Sequence, residues 1–175
     1  MDQFIARVRE VLSTTPDRWR ALAGSMEPSI LARRPAPGEW SAAECMQHLL
    51  DTELGAFSVR LEAFMAGRDL AAFDPDAAGF KPEPGSDPTG VAGHLAEARS
   101  RSLRALDRIT NADLDRTANH AEYGQVTLRE MLAEWAAHDL MHTVQAERAL
   151  MQPFIVACGK WRGLFVDHDV EAHAS

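Results

Sequence analysis

Two histidines four residues apart, His138 and His142 in "EWAAHDLMHTVQ" (134–145), interrupt a stretch otherwise patterned as the apolar face of a helix. Positions i and i+4 of a helix stack one above the other, so both imidazoles can reach a common point off the axis. Neutral imidazole nitrogens are ligands for divalent metals, and that convergence is what a metal requires. On a helical wheel Leu128, Met131, Trp135, His138, His142, Gln145 and Ala149 share one sector about 100° wide, the face that should be buried. Each buried polar atom left without a partner costs on the order of 1–3 kcal/mol, and a metal satisfies two of these nitrogens together. The competing reading is a pair of core histidines bonded to backbone or to Asp139. Spacing alone leaves both readings open.

Two histidines rarely complete a site. A third candidate is His48 in "SAAECMQHLLDTE" (41–53). The apolar stripe of that segment runs through Met46, Leu50, Leu54, Phe57, Leu61 and Phe64, and His48 lies nearly opposite it. Its neighbours at helical spacing, Glu44, Cys45, Asp51, Thr52 and Gly55, are small or polar, as in the wall of a cleft. Spacing does not select His48 over His94 or His120. Asp51, Glu53, Asp139 and Gln145 are candidates to orient the imidazoles, because ligand histidines usually donate their second N–H to an outer partner. Glu53 reads equally well as half of a structural ion pair with Arg60 or with an arginine of another helix. Cys45 is a possible fourth ligand, although a lone cysteine is more often inert in a core. Trp40 and Trp135 are expected to pack structurally near helix ends, and Tyr123 to line the pocket.

The elements that must carry these residues are helical. Residues 2–25 show apolar spacings of three and four, with Thr15-Pro16 either capping a new turn or kinking one longer helix. A proline-rich connector follows over 26–40. Ser41 with Glu44 is a capping box for a helix running to about Ala66. Residues 68–88 form a long connection that is expected to border a site. A third helix spans roughly 89–109. Thr127 with Glu130 is a second capping box, opening a helix that Pro153 should end near Met151. A short helix over 154–166 and an unstructured tail over 167–175 complete the chain. No strand alternation is evident, so the expectation is an all-α four-helix bundle with long connections and a short C-terminal helix, in a single domain over 1–166.

The chain has 175 residues, a net charge of −8 and 46% hydrophobic residues. That is ample for one core, and the acidic balance argues against a nucleic-acid partner. The two cysteines, Cys45 and Cys158, show no metal or redox spacing and fit a reducing compartment. With no apolar run near membrane-spanning length and no signal-like N-terminus, the expected location is the cytoplasm.

Three stretches together resemble the DinB-like (damage-inducible) four-helix metalloprotein superfamily, whose relatives include bacterial S-transferases using bacillithiol or mycothiol. They are "RRPAPGEWSAAECMQHLLDTE" (33–53), "YGQVTLREMLAEWAAHDLMHTVQ" (123–145) and the Thr-Pro-containing first helix. The resemblance implies a metal triad of His48, His138 and His142. It further implies nickel, zinc or a similar divalent ion such as iron or manganese, with open positions for water, and often a homodimer. Thiol transfer to small electrophiles with a low-molecular-weight thiol leads the implied activities, ahead of metal-dependent hydrolysis. A non-catalytic metal- or ligand-binding stress protein and a metal-free helical dimer are the alternatives.

Overall fold

The computed structural model describes residues 3–73 and 87–173. Its helices are α1 (Phe4–Ser25), a single turn α2 (Pro28–Leu31), α3 (Ala42–Thr52), α4 (Ser58–Met65), α5 (Pro88–Leu106) and α6 (Leu128–Ala157). A π-helical turn, Glu53–Phe57, joins α3 to α4 without interruption, so these form one long bundle helix. α1 packs on α5 and α6, and α3 packs on the same two. Around the bundle the order is therefore α1, α5, α3, α6, with the first two long helices diagonal to each other. That arrangement needs long connections, as the sequence provides.

Both capping boxes form: Ser41 Oγ accepts from the Glu44 N–H at 3.2 Å, and Thr127 Oγ1 from the Glu130 N–H at 3.2 Å. α1 passes through Pro16 as one helix. α5 begins earlier than its apolar pattern indicates, with Asp87 as cap and Pro88 in its first turn.

Five other expectations are corrected. Residues Thr117–His120 and Gly124–Thr127 pair as an antiparallel hairpin, β1 and β2, where no strand was evident. Each strand has four residues, too few for alternation to register, and Gly124 takes the positive φ of 72° that the turn needs. α6 continues through Pro153 to Ala157. One lost backbone donor is tolerated there because Ile155 is buried, and Gln152 Nε2 donates to the carbonyls of Arg148 and His168. Beyond it, Gly159–Phe165 is a 3-10 helix rather than an α-helix. Residues 167–173 are not loose: Asp169 holds Arg162, and Val170 is buried with its N–H donated to Gln152 Oε1.

The last correction concerns register. Leu54 belongs to the apolar stripe on a uniform wheel, yet it is 50% exposed while its neighbour Glu53 is 1% exposed. A π turn spans this point, and Glu53, Phe57, Leu61 and Phe64 are buried on the one stripe a uniform wheel gives them, so only Leu54, at the stripe's edge, departs from it.

The core has two apolar clusters. One gathers Leu12, Phe57, Phe64, Leu106 and Trp135, the other Trp19, Met46, Leu49, Leu95 and Ala146. Along each long helix the residues between these clusters include buried polar ones: Thr15, Glu53, Arg99, and on α6 Asp139 and His142. A polar layer thus crosses the bundle at the level of the histidines.

Candidate metal centre

α3 presents His48 and α6 presents His138 and His142. Ligand atoms of all three rings lie within 4.8 Å of one another, so the group can hold a metal ion. His48 Nε2 and His138 Nε2 stand 3.0 Å apart. Two donors bonded at 2.0–2.1 Å to one ion at angles of 90–110° are about 2.8–3.4 Å apart, so the pair fits adjacent positions of one coordination sphere. His142 Nδ1 and Gln145 Oε1 are 2.8 Å apart. Only the ring can donate in that contact, which fixes the proton on Nδ1 and leaves Nε2 bare. The donor set is what a divalent ion requires.

The surroundings keep the two α6 rings neutral. His138 is pushed down to about 3, by burial first, then by His142, His48, Arg99 and Arg60. Burial also lowers His142, against the help of the Gln145 bond and the Asp139 charge. Both folded values lie below the unfolded one near 6.5. Between those limits the unfolded chain binds protons that the folded chain refuses, so stability from these rings is intact above about pH 6.5 and falls as the pH drops. Asp51 acts oppositely: burial raises its carboxyl to about 6 against the bond from Gln47, so acidification through that value favours the folded state. The metal-free protein is expected to lose stability below about pH 6.5. Replacing His138 by Phe should flatten that slope by up to one proton, about 1.4 kcal/mol per pH unit. Urea unfolding of both proteins at pH 7, 6 and 5 measures the difference.

An aromatic wall flanks the rings. Trp40 lies nearly parallel to the His142 ring, 13° between planes and 5.6 Å between centroids, and meets His48 edge-on at 4.9 Å. Phe57 meets His138 edge-on at 5.2 Å and stacks on Trp135. Trp135 is structural, as expected. Trp40 is more than that, because it borders the histidines themselves. Its position in the Gly-x-Trp-Ser helix start was the available signal.

Beneath the centre lies a buried ionic network that spacing did not reveal. Arg99, 1% exposed, donates to Glu53 Oε2 from Nε at 3.0 Å and to Asp139 from Nη1 at 2.6 Å and Nη2 at 3.0 Å. Its Nη1 also donates to the Leu12 carbonyl at 2.9 Å, and the Trp135 indole donates to Glu53 Oε2 at 3.2 Å. Burial opposes the arginine's charge, but Asp139 and Glu53 outweigh it and hold the guanidinium firmly protonated. Of the two readings of Glu53, the structure shows the ion pair, with an arginine of another helix; Arg60 instead meets Glu134 at 3.6 Å.

Among the outer-partner candidates, Gln145 bonds an imidazole, Asp51 accepts from Gln47, and Glu53 and Asp139 are committed to Arg99. Cys45 is outside the donor group; it lies in the second apolar cluster, its thiol pushed up to about 12 by burial and by Glu44. Tyr123 is exposed on the hairpin and stacks on His120. The 68–88 connection falls largely outside the described residues.

A family model of the DinB superfamily matches residues 12–146, a span that includes all three histidines. The chain belongs to the DinB superfamily. Among solved structures it is similar to YfiT from Bacillus subtilis, described as a probable metal-dependent hydrolase with an unusual four-helix bundle topology. The two share 20% identity and a TM-score of 0.74, over 86% of this chain and 87% of that one. At that identity the likeness establishes the DinB fold alone. No curated protein matches the chain.

Losing the Gln145 acceptor should free the His142 ring and its tautomer. Replacing Gln145 by Leu is expected to weaken metal binding about 10–100-fold while leaving the fold intact. Chelator competition followed alongside thermal melting distinguishes that result from general destabilisation.

Proposed function

We propose that this protein is a metal-dependent enzyme in which His48, His138 and His142 hold one divalent ion, nickel or zinc first, that activates a small nucleophile. The observation that carries this reading is the convergence of three imidazoles from two helices, with the His142 tautomer set by Gln145. A site of three neutral imidazoles has the make-up of a catalytic centre rather than a closed structural one, because positions remain for exchangeable partners. The ion supplies Lewis acidity that lowers the pKa of a water or thiol nucleophile toward neutrality.

The chain's own residues do the rest. The depressed ring pKa values keep the nitrogens free for coordination, and Gln145 orients His142. Trp40 walls one side and gives a flat apolar surface for substrate to lie against. With water as the nucleophile the reaction is a hydrolysis, which the similarity to YfiT supports. With a low-molecular-weight thiol it is an S-transfer to a small electrophile, which the family resemblance supports. The reading includes a cytoplasmic homodimer, and light scattering measures its mass. Among the described residues no helix is long and apolar enough to cross a membrane.

Metal-loaded protein assayed with monochlorobimane and several bacterial thiols, and in parallel with simple esters and amides, separates the two chemistries. Turnover in one arm, lost on chelation and restored by metal, is the expected result. Stoichiometric metal with no turnover in either arm would make the protein a binding module instead.

A further inference from the structure

Among the described residues three arginines hold a carboxylate along the guanidinium edge formed by Nε and Nη2: Arg34 holds Glu44, Arg99 holds Glu53, and Arg162 holds Asp169. That edge presents two parallel N–H groups matched to two oxygens. Among the described residues Arg60, on α4, has the same edge without an acid on it. Its side chain is 11% exposed, its Nε is buried with no partner, and its Nη2 faces His120 Nε2 at 3.2 Å.

The His120 contact is mismatched. His120 Nδ1 accepts the backbone N–H groups of Glu122 and Tyr123, at 3.2 Å and 3.4 Å. A neutral imidazole with a bare Nδ1 carries its proton on Nε2, so a donor faces the donor Arg60 Nη2. The Arg60 Nε–H beside it has no acceptor among the described residues either. Three N–H groups thus gather at one place with no acceptor among the described residues. Glu134 meets Arg60 through the other terminal nitrogen, Nη1, at 3.6 Å and is itself 54% exposed, a weak pairing.

This place adjoins the histidine centre. Arg60 follows by one turn Phe57, whose ring touches His138, and Glu134 precedes His138 by one turn on α6. The Arg60 charge is among those felt by the His138 ring.

We infer that Arg60 and His120 form an oxyanion-binding subsite at the His138 end of the metal centre, taking a carboxylate or phosphate group of the substrate. Two oxygens lie across the Arg60 Nε–Nη2 edge, and one is shared with His120 Nε2–H. The His120 ring is half-buried and stacked on the exposed Tyr123, so it can turn outward to admit the anion without disturbing the core. The subsite's role in selecting an anionic substrate rests on the functional reading above; the binding of an anion does not.

The test uses the full chain stripped of metal, so that no probe coordinates an ion, at constant ionic strength. Inorganic phosphate and acetate are titrated separately while the Arg60 Nε–H and His120 ring signals are followed by NMR. A saturable shift with either probe is expected, phosphate alone indicating a phosphoryl group and acetate alone a carboxylate. Arg60→Met should weaken binding at least tenfold, and Glu134→Gln, which removes the competing acid, should tighten it several-fold. No saturable shift with either probe, or wild-type affinity in Arg60→Met, overturns the inference. Should Arg60→Met not fold, unchanged affinity in Glu134→Gln overturns it equally. Either outcome leaves the metal reading to be judged on metal content.

Discussion

Replacing His138 by Ala is expected to abolish metal binding and leave a folded bundle. Loss of a partner behind a ligand costs about 10–100-fold in affinity, and loss of one of three direct ligands costs more. The fold should survive because the substitution relieves as much as it removes. His138 Nδ1 is buried with no partner among the described residues, and the ring's charged form is excluded by its surroundings, so an alanine methyl is the easier occupant. Alanine also favours helix in the middle of α6. Metal content after loading and dialysis, together with circular dichroism, checks both halves. A variant that binds metal like the wild type would remove this residue from the site. One that loses its helices would make the metal or the ring structural.

Replacing Arg99 by Met should give the largest loss of stability of any single change. Two carboxylates, Glu53 and Asp139, each 1% exposed, would be left in the core without their cation. Removing one partner of a buried ionic group costs about 3–5 kcal/mol, a large share of the 5–15 kcal/mol that holds a typical domain together. Replacing all three together, Glu53→Leu, Arg99→Met and Asp139→Leu, should recover most of that loss, since the penalty comes from uncompensated charge rather than missing volume. Urea unfolding of the single and triple variants decides. Equal destabilisation in both would show that packing, not charge, is at stake. Because Asp139 adjoins His138 and Glu53 sits on the π turn that follows His48, the network also fixes how α3 and α6 face each other at the centre.

Much of this was legible in the sequence. The two capping boxes placed the starts of α3 and α6 correctly, because they depend on bonds made within four residues. The buried face of α6, from Leu128 to Ala149, followed from a period that nothing interrupts before the histidines. His48 was different. Its own helix offered no periodic reason to choose it, and it entered through its family motif. The π turn was invisible because Glu53, Phe57, Leu61 and Phe64 keep the stripe of a uniform helix, and only Leu54, at its edge, faces out. The partner of Glu53 was unreadable for another reason: Arg99 lies 46 residues away on another helix, and only the packing order of the bundle brings them together. Pro153 misled because its cost is local while the burial of Ile155 is not.

The most direct measurement is an anomalous difference map from crystals of the protein loaded with zinc or nickel. One peak per chain is predicted, with His48 Nε2, His142 Nε2 and a ring nitrogen of His138 each about 2.0–2.1 Å from it. A peak elsewhere, or a bound ion with the His48 ring turned away, would contradict the account.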